Sequence, residues 1–167
     1  TLFPYTTLFR SVQMANIAQM VNVLQSMILT QGDKIILTPT YHIFKMYKVH
    51  QDAQLVSTLL ECDDYVNSDK SVPELNVSAS VDFKGVLHIS LCNINPNEDI
   101  EISSEIRGSI YSKVSGTILS SDKMNAYNSF ENPNNVTENE FKGFILKDNK
   151  ITIVMPKMSV IDRKSVV

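Results

Sequence analysis

Residues Leu75–Ile94 read LNVSASVDFKGVLHISLCNI. Two short β-type runs, Leu75–Val81 and Val86–Ile94, are separated by Asp82–Gly85, whose aspartate and glycine are turn formers. Comparable runs recur at Leu55–Leu60, Ile100–Ile106, Val114–Leu119 and Ile151–Val154. Turn residues fill Asn95–Asn97, Asp122–Asn135 and Asp148-Asn149, and Glu131–Val136 (ENPNNV) is too polar and proline-bound to be an element. Short strands at even spacing without intervening helices predict a mainly β chain. The expected architecture is an antiparallel β-sandwich, jelly-roll-like, over residues 52–161.

Upstream the character changes. Thr38-Pro39 is a helix start: a hydroxyl to cap an orphan N–H, then a proline where its missing N–H costs nothing. The helix TYHIFKMYKVH (Thr40–His50) carries Tyr41, Phe44 and Tyr47 beside Ile43, Met46 and Val49, two adjoining stripes that need a body to pack on. Before it come the turn Gly32-Asp33, the apolar run Ile35–Leu37 and the segment Met14–Leu29, MANIAQMVNVLQSMIL. There Asn16, Gln19, Asn22 and Gln25 recur every third residue. That spacing fits a helix with a drifting polar stripe, or a buried strand followed by irregular chain; periodicity alone leaves both open.

Composition sets the outer bounds. The chain has 167 residues, 15 basic and 18 acidic side chains, a net charge of −3 and 43% hydrophobic positions. That is enough to bury a core, and too acidic for a nucleic-acid surface, which needs clustered Lys and Arg. No run of eighteen apolar residues is present to span a membrane. The two cysteines, Cys62 and Cys92, form neither a disulfide framework nor a four-ligand zinc site, and read as half-buried thiols.

The ends have a different origin from the rest. Thr1–Ser11, TLFPYTTLFRS, lacks the basic n-region and small-residue cleavage site of a signal peptide. It back-translates into a string that resembles a short-read sequencing adapter. Asp162–Val167, DRKSVV, back-translates into the reverse complement of that adapter's 3′ part, shifted by one base. Residues 1–11 and 162–167 are therefore expected to be adapter-like, and 12–161 to be an internal piece of a longer reading frame.

Residue types that carry chemistry are sparse. His42 and His50 lie about 12 Å apart along a helix, too far to share a metal, and packing roles are expected for both. His88 sits mid-strand on the face opposite Leu87 and Ile89, which predicts an exposed histidine. Glu61, Asp63 and Asp64, and likewise Glu98, Asp99 and Glu101, fall at strand ends and read as solvated turns. No serine–histidine elbow, Gly-rich phosphate loop or metal motif occurs, so no metal and no cofactor is called for.

Several long stretches closely resemble the C-terminal third of family 51 α-L-arabinofuranosidases. They are MANIAQMVNVLQSMIL, LTPTYHIFKMYKVHQDA, SASVDFKGVLHISLCNINPN, ILSSDKMNAYNSFENPNNV and VMPKMSVI. The resemblance implies a (β/α)8 barrel continuing into a C-terminal sandwich. Residues 12–51 would then be the last barrel strand, MANIAQMVN, and the last barrel helix, Thr38–His50. It also implies retaining hydrolysis of terminal arabinofuranosyl groups from arabinan- or arabinoxylan-type polymers by two glutamates. Those glutamates lie upstream of Val12 in the family, and none here matches them, so no catalytic residue is carried over. Gln19, and more weakly Asn22, match the wall of the sugar pocket, where an amide both donates to and accepts from hydroxyls.

Two other readings concern the sandwich. As a carbohydrate-binding module it should present a flat row of aromatics. Yet tryptophan is absent, and Tyr65, Phe83, Tyr111, Tyr127, Phe130, Phe141 and Phe144 are scattered. A structural brace, or an interface between copies in a homo-oligomer, fits the missing platform better.

Overall fold

The computed structural model describes residues 17–24 and 26–166, with side chains through Arg163. Thr1–Asn16, which include the whole N-terminal adapter-like segment (residues 1–11) and the start of MANIAQMVN, lie outside the described residues. The strands are β1 (Ile28–Gln31), β2 (Lys34–Leu37), β3 (Gln54–Leu55), β4 (Asp64–Asn67), β5 (Lys70–Pro73), β6 (Leu75–Val81) and β7 (Leu87–Asn93). They continue with β8 (Ile100–Glu105), β9 (Lys113–Ser120), β10 (Asn139–Phe141), β11 (Phe144–Lys147), β12 (Lys150–Met155) and β13 (Ser159–Val166). Among the described residues there is one α-helix, α1 (Pro39–Tyr47), which ends in a 3-10 turn over Lys48–His50.

A six-stranded sheet in the order β10-β9-β13-β7-β6-β3 faces a three-stranded sheet, β11-β12-β8, and every pairing is antiparallel. The expected sandwich is thus present. Its core alternates along each strand as the pleat demands. Leu75, Leu91, Ile118 and Ile161 of the larger sheet meet Ile151, Ile153 and Met155 of the smaller one. Ile151, Met155 and Ile161 are completely excluded from water, and each contributes about 1.5–3 kcal/mol.

The tight hairpins explain why the strands stop where they do. Asp148 and Asn149 both adopt positive φ between the paired Lys147 and Lys150, the twist-matched two-residue turn that joins β11 to β12. In the β6–β7 turn, Gly85 takes φ +78° while the Asp82 carboxylate accepts the N–H groups of Lys84 and Val86 at 2.9 and 3.0 Å.

Several expectations need correction. The run Leu55–Leu60 is a strand only at its first residue; Val56 is half-buried against Ala79, Leu87 and Tyr111, and Ser57–Leu60 are exposed irregular chain. Strands β4, β5, β10, β11 and β13 had no counterpart in the sequence reading. Ile17–Asn22 form no strand, only an isolated bridge from Val21 to Ile28. A parallel barrel strand is held by neighbours on both sides, and none of the described residues supplies them. Thr38 does not cap α1; its hydroxyl donates to the Ser26 carbonyl at 2.7 Å and ties the helix start to the preceding chain. His88 is buried, 5% exposed, because the 3-10 turn after α1 covers that face of the sheet and sets His50 beside it. Cys62 is exposed and Cys92 intermediate.

Strand β13 runs without a break through the expected boundary at Ile161. Arg163 falls on its inward side, paired across to Ile89 and Gly116. Gly116 is obligatory there, since a Cβ would collide with the Phe144 ring. Arg163 is 1% exposed, and its Nε and Nη2 have no partner among the described residues. Burial lowers its pKa to about 10, which still leaves it charged at neutral pH. A buried, unpaired charge costs several kcal/mol. The Arg163→Leu variant is therefore expected to be more stable by about 1–4 kcal/mol. Urea unfolding measures it, and an unchanged or lower midpoint would show that the guanidinium is satisfied.

Candidate functional site

Gln19 and Asn22 lie just before the β1–β2 hairpin, and both are exposed. The local fold follows from Asn22, which takes φ +55°, a conformation asparagine tolerates better than most residues. Its backbone N–H donates to the Ile28 carbonyl at 3.0 Å, and Ile28 N–H returns a bond to the Met20 carbonyl at 3.0 Å. Its side-chain amide is used at both ends. Nδ2 donates to Thr30 Oγ1 and Oδ1 accepts from Thr30 N–H, each at 2.7 Å. Asn22 thus folds the loop that presents Gln19, while retaining one N–H and one lone pair. Among the described residues no side chain bonds the Gln19 amide.

This unit is fastened to the outer face of the six-stranded sheet and the loop beside it at four points. Met46 packs with Leu119 and Val136, flanked by Ile43, Tyr47, Ala126 and Val160. Asn128, 3% exposed, donates to the carbonyls of Leu37 and Val136 at 2.8 and 2.9 Å and accepts the Val136 N–H at 2.7 Å. Lys45 pairs with Glu138, which lies 3.7 Å from His42 Nδ1. The fourth point is His50. Its Nδ1 lies 2.6 Å from Ser80 Oγ and its Nε2 2.7 Å from Ser90 Oγ, and Ser90 in turn donates to Asp162 at 3.1 Å.

A serine–histidine–serine–aspartate chain invites comparison with a hydrolytic triad, but geometry and access oppose it. Ser80 and Ser90 are 4% and 1% exposed, so no substrate carbonyl reaches either oxygen. Burial, helped by His88, lowers the His50 pKa and keeps the imidazole neutral. Burial raises that of Asp162 against its bond from Ser90. The arrangement is a polar clamp between the 3-10 turn and the sheet. Sequence reading missed it because Ser80 and Ser90 are ordinary strand residues until residue 50 is brought over them.

The two acidic groups, expected as separate turns, are brought together. Asp63 and Asp64 line one open cleft of about 260 Å3 with Glu74 and Glu98. Asn95 organises its floor, donating to Glu74 at 2.9 Å and accepting from the N–H groups of Asn97 and Glu98. Among the described residues no group of three or more ligand side chains is arranged to hold a metal, and no helix is long and apolar enough to cross a membrane. Between Val12 and Gln51 the only acid is Asp33, exposed in the β1–β2 turn.

Residues 9–159 match the family model described as the α-L-arabinofuranosidase C-terminal domain. The chain is 43% identical over 150 residues to an intracellular exo-α-L-arabinofuranosidase of Bacteroides ovatus, covering 89% of this chain and 29% of that protein. It superposes on the family 51 arabinofuranosidase of Xanthomonas axonopodis pv. citri with a TM-score of 0.91 at 36% identity, over 97% of this chain and 33% of the other. The Thermotoga maritima α-L-arabinofuranosidase, solved with arabinose, gives 0.79 at 27% identity over 96% and 35%. The chain thus spans about a third of the length of these relatives.

Asn128 is the polar link between β2 and the loop beneath it. Its replacement by alanine leaves the Leu37 and Val136 groups unpaired in a dry site and should cost about 1–3 kcal/mol. Denaturant unfolding and the exchange rates of the β1–β2 amides report this. A loss under half a kcal/mol, about the scatter of surface substitutions, would show that water replaces the side chain.

Proposed function

Because the chain belongs to the α-L-arabinofuranosidase C-terminal domain family, we propose that it is the C-terminal part of a retaining, exo-acting α-L-arabinofuranosidase. The substrates are terminal arabinofuranosyl groups on arabinan- or arabinoxylan-type saccharides. Family membership carries this reading, on stretches that include the Gln19 loop and α1. In it, residues 12–51 are the last strand-and-helix unit of the barrel and residues 52–161 the accessory sandwich. The exposed apolar side chains of the first unit, Met20, Val21, Leu24, Ile35 and Phe44, are the surface that the rest of the barrel covers.

Chemistry assigns the roles. Retaining hydrolysis uses two carboxyl groups about 5–5.5 Å apart, one attacking the anomeric carbon and one protonating the leaving oxygen. In the family this chain resembles, both glutamates lie upstream of Val12, and in this proposal the pair sits on those preceding barrel strands. Gln19 contributes a free amide that donates to and accepts from sugar hydroxyls; Asn22 shapes its loop and adds its remaining N–H. The sandwich acts as a brace, gripping α1 through Asn128, Glu138 and His50. A carbohydrate-binding role is the second reading. It has only separated aromatics to draw on, such as Phe83 at 91% and Tyr127 at 69% exposure, on different loops.

The purified chain is expected to release no nitrophenol from p-nitrophenyl α-L-arabinofuranoside above a buffer blank. Turnover would mean that the chain holds its own carboxylate pair. In the same preparation, retention on insoluble arabinoxylan supports the binding reading, whereas passage through it supports the brace.

A further inference from the structure

We propose that His50 is a protonation-sensitive latch, fastening the end of α1 to the sandwich when its imidazole is neutral and releasing it when the second ring nitrogen takes a proton. The bond directions carry this. Ser90 spends its hydroxyl proton on Asp162, so at 2.7 Å it accepts from His50 Nε2–H. His50 Nδ1 is then the acceptor for the Ser80 hydroxyl at 2.6 Å. Both serines, one on β6 and one on β7, are satisfied by a single neutral tautomer.

A proton on Nδ1 reverses the second bond. Nδ1 becomes a donor, and the Ser80 hydroxyl must turn to another acceptor at a site only 4% exposed. An unmade bond of that kind destabilises the docked state. The new charge also stands 6.4 Å, ring centre to ring centre, from His88.

The groups facing His50 differ in sign. On its own element, the Tyr47 ring lies 5.8 Å away. From β7 come His88 and, beside Tyr47, Cys92. From β13 comes the Asp162 carboxylate behind Ser90, and from the β6–β7 turn Asp82, which faces His88 Nε2 at 3.3 Å. The two carboxylates favour a proton, but each meets His50 only through an intervening residue. Burial and His88 act on the ring directly and prevail, so the docked pKa lies below the ordinary 6.5. The released state therefore binds more protons than the docked one. The latch is at full strength above about pH 6.5 and weakens as pH falls through that value towards the docked pKa.

The consequence is a local opening in which Pro39–Ala53 lift while β7, β9 and β13 stay paired. Hydrogen exchange on the full chain at pH 7.5 and 5.5, corrected for intrinsic rates, tests it. Linkage permits up to about tenfold in the opening equilibrium per pH step between the free and docked pKa. Pro39–Ala53 amides should lose several-fold protection at pH 5.5 relative to the β13 amides, and His50→Gln, which bridges without titrating, should remove that difference. Equal pH dependence in His50→Gln, parallel loss in β13, or no loss at all would each overturn the latch. If the variant does not fold, the His50 Cε1–H resonance of the unmodified chain decides: a midpoint below 6.5 supports the latch, and one at or above 6.5 refutes it.

Discussion

The ladder that β13 forms with β7 on one side and β9 on the other is the constraint on which everything else rests. Ile161 sits opposite Leu91 in one ladder and Ile118 in the other, and it is wholly buried between the sheets. Register in such a strand is fixed absolutely by the pleat, since a slip of one residue would turn Ile161 outward and Val160 inward. With that register set, Val160 and Asp162 face the opposite side, where Val160 joins the Met46 cluster and Asp162 receives Ser90. The same strand thus builds the core on one face and the platform for α1 on the other.

In the proposed reading, that platform makes the sandwich a brace. The first unit makes few bonds within itself: a hairpin of two four-residue strands, the Asn22–Thr30 amide pair and a nine-residue helix. Isolated elements of this length are not stable in water. Their position comes from tertiary bonds to the sheet and the loop beneath it, made by Asn128, Glu138 and His50. Gln19 inherits its position from that grip, which links sandwich packing to any sugar contact.

What the sequence made legible follows from locality. The span Leu75–Val81 was read to the residue, because its apolar alternation and the Asp82–Gly85 turn are signals held within a few positions. The helix start at Pro39 was equally local. Strand β13 was not readable, since Pro156 and the polar run Asp162-Arg163-Lys164 argue against a central strand until two neighbours supply its hydrogen bonds. The hairpin β4–β5 is mostly exposed and lacks alternation. His88 was misjudged because its cover arrives from residue 50, and Asn128 was hidden in a loop whose composition says only that it is a loop. For the site, the residues alone indicated no chemistry; the family resemblance singled out Gln19 and Asn22, and the structure then showed how Asn22 is used.

The central claim is that this chain completes the sugar pocket of a larger glycosidase without holding its carboxylates. The direct measurement is kcat/KM for p-nitrophenyl α-L-arabinofuranoside by the full-length gene product that contains this chain, with and without Gln19→Ala. Loss of a substrate hydrogen bond worth about 1.5–3 kcal/mol corresponds to roughly a tenfold to hundredfold fall, with the fold unchanged. Equal activity in the two proteins, or a full-length protein that hydrolyses no arabinofuranoside, would contradict the account.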